Sequence, residues 1–312
     1  MRILALILVL LATPLHAFPV ARCINLGNAL EAPTEGDWGY VIERHHLTEI
    51  AAKGFDTVRL PARFSAHWDG RIDPAFLARV DEVIGWARAE GLRVILDLHH
   101  FDELMHEPRA HADAFLAIWK ELSEHYAGAP ADLIFELLNE PSWELTTEKA
   151  VVLYERAMPT IRALHPDRWV IIGGGRWSVG TELPGLPVFD ERTVHTFHYY
   201  TPFDFTHQQA TYMESPPPAR SWGSRSDRAE AVADLVHGLA HDAAPVFLGE
   251  FGVYRAAPEQ DTQDWLAFVR ATTEAAGVGW CAWSFGSSFG IYDSENDHWK
   301  ESRLKALIPG DR

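Results

Sequence analysis

Leu133-Ile134-Phe135-Glu136-Leu137-Leu138-Asn139-Glu140-Pro141 is a short apolar run that closes on an amide and a carboxylate, with a helix-like amphipathic stretch after it. A run of this kind reads as a buried strand in an alternating chain. The same pattern recurs on both sides of it. Strand candidates fall at 23–26, 57–61, 93–98, 133–138, 169–172, 194–199, 246–250 and 278–283. Helical patterns lie between them, clearest at 40–53, 74–90, 111–126, 147–164, 227–241 and 262–276, with a final one at about 299–307.

Eight strands alternating with helices in 312 residues predict a single α/β domain, a (β/α)8 TIM barrel over 18–312. An open doubly wound sheet is the competitor. It calls for a glycine-rich phosphate turn after the first strand, and Gly27-Asn28-Ala29-Leu30-Glu31 is no such fingerprint. Gly173-Gly174-Gly175 follows a later strand without the Lys-Ser/Thr of a phosphate loop. It reads as a turn where backbones pass closely.

Almost every strand candidate ends in a titratable, amide or aromatic side chain. Arg59 sits in Thr57-Val58-Arg59-Leu60-Pro61, and His99 and His100 follow Ile95-Leu96-Asp97-Leu98. Asn139 and Glu140 close the fourth strand, His198 and Tyr200 the sixth, Glu250 the seventh and Trp283 the eighth. Any one of these alone reads as a cap, a surface residue or a hydrogen-bonded structural group. In a barrel, however, all these ends converge on one face, where enzymes of this fold keep their chemistry. Burying two carboxylates, an arginine and two histidines together costs several kcal/mol unless they are paired. Such a cluster points to function. Two carboxylates facing each other across a barrel mouth suit glycosidic cleavage, one protonated and one ionised. A glutamate held by Arg59 is the expected nucleophile, because a neighbouring cation favours the ionised form.

Composition narrows the partners. The formal net charge of −17 disfavours phosphate backbones and anionic lipid surfaces, so neither nucleic acid nor membrane is expected as a partner. The 12 Trp suit both core packing and stacking on flat sugar faces. Residues 1–17 read as a signal peptide: Arg2 is the positive end, 3–12 the apolar run, and Leu15-His16-Ala17 resembles a small-residue cleavage site. An uncleaved anchor is the alternative, although the run is too short to span a bilayer. Arg22 before Cys23 argues against a lipidated cysteine. The expected address is secreted or periplasmic, with a mature chain beginning near Phe18. Cys23 and Cys281 would lie on the first and last strands, neighbours in a closed barrel. They are free to pair or to remain buried thiols.

The strand-end residues resemble glycoside hydrolase family 5, a family of retaining (β/α)8 hydrolases, over nearly the whole of 18–312. Leu137-Leu138-Asn139-Glu140-Pro141 resembles the segment around the family's acid/base, and Leu248-Gly249-Glu250-Phe251-Gly252 its nucleophile strand. The ordered set Arg59, His99, Asn139, Glu140, His198, Tyr200, Glu250 and Trp283 matches eight recurring positions. The resemblance implies Glu140 as acid/base and Glu250 as nucleophile, with Arg59 and Tyr200 aiming Glu250. It further implies Asn139 on the 2-hydroxyl, His99 and His198 on sugar hydroxyls and the acid/base region, and Trp283 under the sugar ring. A closer likeness, carried by 25–33, 35–39, 198–203 and 205–208, is to a subgroup acting on both β-1,4-glucan and mannan. It adds Asn28, Glu31 and His100 as cleft residues and Trp177, Trp222 and Phe289 as further substrate contacts. Ser284 stands where subgroup members carry a larger polar residue.

The implied partner is a β-1,4-linked polysaccharide or oligosaccharide, with no cofactor, no metal and no obligate protein partner. His99-His100 is adjacent rather than His-x-His, which does not suit a metallohydrolase. The leading expectation is an endo-β-1,4-glucanase. A mannanase, an exo-acting glycosidase or an inactive sugar-binding barrel are the other readings.

Overall fold

The computed structural model describes residues 17–310. Of the expected leader 1–17, residues 1–16 lie outside them. Eight strands close in sequence order into one barrel: β1 Arg22–Asn25, β2 Thr57–Ala62, β3 Arg93–Leu98, β4 Leu133–Glu136, β5 Val170–Gly173, β6 Thr193–Tyr199, β7 Val246–Phe251 and β8 Gly279–Ala282. Each pairs in parallel with the next, and β8 pairs with β1. Helices cover the outside and the packed interior covers the inside, so the strands are buried on both faces.

The helices are α1 Arg44–Ala52, α2 Pro74–Ala89, α3 Asp102–His106, α4 Pro108–His125, α5 Thr147–Leu164, α6 Gly175–Ser178, α7 Phe203–Thr206, α8 Arg225–Leu239, α9 Glu259–Ala275 and α10 Glu301–Leu307. Local chemistry sets several starts. Asp73 accepts the Ala75 N–H ahead of Pro74 at the first turn of α2, and Ser224 and Asp227 cap α8 reciprocally. No long helix joins β5 to β6. A turn at α6 and a 3-10 segment, Gly180–Gly185, replace it, in line with the missing helical pattern there.

Element ends differ from the sequence pattern by a few residues. The fourth strand leaves the ladder after Glu136, although Leu137 and Leu138 stay fully buried. Apolar character reports burial, whereas the ladder also needs a partner at the right register. The short α3 and α7 and the antiparallel ribbon of β9 Tyr292–Asp293 with β10 His298–Trp299 are too brief to leave a period in the sequence.

Inside the barrel the layers change character with height. Cys23, Ile95, Ile134, Ile171, Val194, Phe247 and Cys281 form an apolar lower layer, which Phe18 and Val20 close from below. Two residues further along their strands, Asn25, Asp97 and Glu136 face the same interior, and Arg59 joins them from β2. Trp169 is nearly fully buried in that lower layer; outside the barrel Trp119, Trp265 and Trp280 are fully buried, and Trp222 and Trp299 nearly so. The core therefore claims much of the tryptophan.

Cys23 and Cys281 are ladder partners with Cα atoms 4.1 Å apart, and they form a disulfide across the β1–β8 seam. Replacing both with Ala is expected to cost about 2–4 kcal/mol, on the order of 5–10 °C in Tm. Thermal melts of oxidised wild type and the double variant test this, and matching melting temperatures would refute it. Among the described residues no helix is long and apolar enough to cross a membrane.

Candidate active site

The two predicted carboxylates meet at the C-terminal rim. Glu140 projects from the end of the fourth strand segment, its backbone held at a φ of 44°. Glu250 projects from β7. An oxygen of Glu140, one of Glu250 and a ring nitrogen of His198 all lie within 4.8 Å of one another. That spacing leaves room for direct attack on a sugar, but not for the intervening water that inversion needs.

Arg59 is wholly buried beneath the pair. Its Nη1 donates to Glu250 Oε1 at 2.8 Å and to Asn25 Oδ1 at 2.9 Å. Its Nε and Nη2 donate to the two oxygens of Glu136 at 2.7 and 2.9 Å. Nη2 also reaches Asn139 Oδ1 at 2.8 Å and lies 3.1 Å from Asp97. The guanidinium is thus clamped from below and aimed at Glu250 from one side. Tyr200 donates its hydroxyl to the other oxygen of Glu250 at 3.0 Å.

On the opposite side, His198 Nδ1 lies 2.8 Å from Glu140 Oε1, and its Nε2 is buried without a partner. Burial lowers the imidazole's pKa. A neutral ring with its hydrogen on Nδ1 donates to Oε1, which leaves Oε2 of Glu140 to carry the acidic proton. Asp97 grips His99 Nδ1 at 2.5 Å, and the Asn139 amide nitrogen is 3.3 Å from His99 Nε2. This row of contacts fixes the Asn139 amide, which sits just under the cleft floor. Trp283 stacks on His99 with rings 5.8 Å apart and 6° from parallel. Gly27 makes room for that indole, since a Cβ there would lie 2.5 Å from it.

Burial is the largest influence on both glutamates and raises both. Glu140 goes to about 8, helped by Asp97 and Glu136 and opposed by Arg59. Its carboxyl still opens to the cleft, at 24 % exposure. Glu250 goes to about 7, held lower by His198, Arg59 and the Tyr200 hydrogen bond and raised by Glu140. Arg59 was expected to keep the nucleophile ionised. It pulls that way, but desolvation outweighs it; the hydrogen bonds that Arg59 and Tyr200 give to Glu250, and not to Glu140, favour Glu250 as the ionised member of the pair.

The site opens into a cleft of about 1470 Å³. Asn28, Glu31, His99, His100, Trp177, His198, Tyr200, Trp283 and Phe289 line it, as do Thr201, Phe203, Tyr212 and Met213 from the long loop after β6. Two expected contacts change meaning. Glu31 reaches the wall but spends its oxygens on the N–H groups of Asn28 and Ala29, so it props the loop that presents Asn28. Phe289 packs its ring on Tyr200, His207 and Tyr254. Trp222 is a correction. It is only 5 % exposed and lies away from the cleft, against Phe205, Phe268 and the Arg228 guanidinium. Its position in a loop gave no sign that an apolar seat lay beneath it.

Sequence reasoning missed Asp97 and Glu136 as parts of the site. The available signal was an acid in the middle of an apolar strand, which is costly unless paired. It also missed Trp38, Trp143 and Tyr212, rim aromatics with no periodic signature. The Glu140, His198 and Glu250 atoms are close enough for one ion, yet the Arg59 guanidinium already supplies positive charge against Glu250. His45, His46 and Asp297 form a second such group on the surface, where His46 Nδ1 already accepts the Glu43 N–H.

Glu136 helps to hold the proton on Glu140. Glu136→Gln removes that charge, so Glu140 ionises at lower pH, and the loss of kcat/KM on the alkaline side should begin at lower pH than in wild type. A pH–rate profile with the alkaline limb unmoved would count against the coupling.

Residues 25–288 match the family model Cellulase (glycosyl hydrolase family 5). Over 301 residues the chain is 32% identical to Endoglucanase H of Acetivibrio thermocellus, an overlap of 92% of this chain and 32% of that protein. It thus spans about a third of that relative's length. Among solved structures, Cel5A of Thermotoga maritima with cellobiose is 39% identical, with a TM-score of 0.89 over 93% of this chain and 97% of that one. The same protein with mannotriose is 38% identical, with a TM-score of 0.89 and the same coverage.

Proposed function

We propose a reaction and substrate from one premise: the chain belongs to the cellulase family, glycosyl hydrolase family 5. It is a retaining endo-β-1,4-glucanase that cuts internal bonds of soluble or amorphous glucan by double displacement. The observation that carries this reading is the pair Glu140 and Glu250, with oxygens within 4.8 Å and only Glu250 braced by Arg59 and Tyr200.

In the first step a Glu250 oxygen attacks the anomeric carbon. The bond from that carbon to the glycosidic oxygen breaks, and that oxygen takes the proton of Glu140. A glycosyl ester on Glu250 and an ionised Glu140 result. In the second step Glu140 takes a proton from water, the water oxygen attacks the same carbon, and Glu250 leaves as carboxylate. Two inversions restore the β configuration. Asn139, held by Arg59 and His99, meets the 2-hydroxyl, and Trp283 faces the ring. Activity needs Glu250 ionised and Glu140 protonated. It therefore falls as pH drops through about 7 and as it rises through about 8.

An open cleft flanked by rim aromatics suits an internal stretch of polymer rather than a chain end. The mannotriose complex of the Thermotoga maritima relative supports β-1,4-mannan as a second substrate class. Proton NMR of products formed from cellopentaose tests the reaction: the β anomer should form first. Initial α anomer would overturn the double displacement.

The enzyme is exported, with residues 1–17 removed. The leader pattern and the Cys23–Cys281 bridge support this. So does Phe18, whose ring packs 5.4 Å from Trp169 and 5.5 Å from Phe247 just past the cleavage site. N-terminal sequencing of the secreted chain checks it, and a start far from Phe18 refutes it.

A further inference from the structure

Trp143 lies three residues beyond Glu140 and is 65 % exposed, although tryptophan is usually well buried. Trp177, 48 % exposed, meets it edge to face with rings 5.4 Å apart. The two loops are tied by the Trp177 N–H, which donates to the Pro141 carbonyl at 3.1 Å. Trp143, Arg176, Trp177 and Ser178 all have left-handed backbones, with φ between 52° and 59°. Bulky side chains rarely adopt this conformation, and a chain that only needed the turn would be served by glycine. Strain of this kind gathers where side chains must be presented to a ligand.

A second cavity of about 280 Å³ shares Trp143, Arg176 and Trp177 with the main cleft. Gly175 and Thr147 form part of its lining, and Glu148 and Glu182 bring carboxylates to it. Thr147 accepts the Gly175 N–H at 2.8 Å and donates to Glu182. A cavity lined by indoles, carboxylates and a guanidinium suits a polyhydroxylated ring with flat C–H faces. Its volume admits one such ring. Glu140 protonates the departing oxygen, so the ridge stands on the side to which the leaving portion of the chain extends.

We propose that Trp143 and the cavity it lines form a subsite for a further β-1,4-linked pyranose unit on the leaving-group side of the cut. This rests on the glucanase reading given above. The subsite draws the polymer across the rim and sets how many units beyond the broken bond contribute to binding.

Trp143→Gly tests it. The substitution removes the ring and suits the left-handed backbone, so folding is not at risk. The ratio of kcat/KM for cellohexaose to that for 4-nitrophenyl β-cellobioside should fall about threefold to tenfold. Cleavage of cellopentaose labelled at its reducing end should shift toward that end, because the longer leaving portion loses its seat. Trp143→Phe should recover part of the ratio. An unchanged ratio with an unchanged cleavage pattern would overturn the proposal, as would an equal fall on both substrates, which would place the effect on Glu140. Wild-type turnover of the nitrophenyl cellobioside separately tests the glucanase reading. If it is absent, that reading fails whatever the ratio does.

Discussion

Glu250→Gln is expected to lower kcat on β-1,4-glucan by on the order of 10⁴-fold or more, about 5 kcal/mol of barrier, while cellotetraose still binds. In the proposed reaction the carboxylate is the attacking group, and a neutral amide oxygen is a poor nucleophile toward an anomeric carbon. The remaining architecture has reason to persist. Glutamine has nearly the same shape, and its oxygen can still accept from Arg59 Nη1 or the Tyr200 hydroxyl. Arg59 keeps Glu136 and Asp97 as partners, so no buried cation is stranded. Calorimetric titration with cellotetraose alongside turnover separates binding from chemistry. A variant that keeps a tenth of wild-type kcat would remove Glu250 from its role.

Glu140→Ala should split its effect by leaving group. On glucan, where the departing alkoxide needs a proton, a loss of about 10²–10⁴-fold follows from removing the general acid. With 2,4-dinitrophenyl β-cellobioside the leaving phenoxide departs unaided, so the first step should remain fast and the ester on Glu250 should accumulate. Water then lacks its base. Added azide needs no deprotonation: its nitrogen attacks the anomeric carbon, Glu250 leaves as carboxylate, and β-cellobiosyl azide forms. The alkaline limb of the pH profile should vanish with the group that titrates there. An equal loss on both substrates, with no azide product, would point to collapse of the site, because His198 loses its partner at Glu140 Oε1.

The candidate site was legible in the sequence where the signal was local. Arg59 interrupts an apolar strand run, His99, Asn139, Glu140, His198, Tyr200, Glu250 and Trp283 stand at or near the end of one, and the barrel brings these positions together. Trp222 and Trp143 show where local reading stops. Both are loop tryptophans, one seated under Arg228 and Phe268 and the other bare at the rim. Nothing within a few residues of either distinguishes them, because a loop aromatic's burial depends on what the rest of the chain packs beside it. Glu31 is similar. The sequence places it at the cleft, but only the fold of 27–31 shows its oxygens taken by backbone N–H groups.

The sequence by itself determined the alternation of strands and helices, the likeness to a hydrolase family and the choice of the two candidate glutamates. These rest on periodicity and on polar residues interrupting or ending apolar runs, which neighbouring positions suffice to show. Tertiary structure alone decided the spacing of Glu140 and Glu250, the clamp of Glu136 and Asp97 on Arg59, the Cys23–Cys281 seam and the burial that raises the pKa of both glutamates. Those depend on barrel closure and on solvent exclusion, properties of groups far apart in the chain, and desolvation in particular has no counterpart in a list of residues.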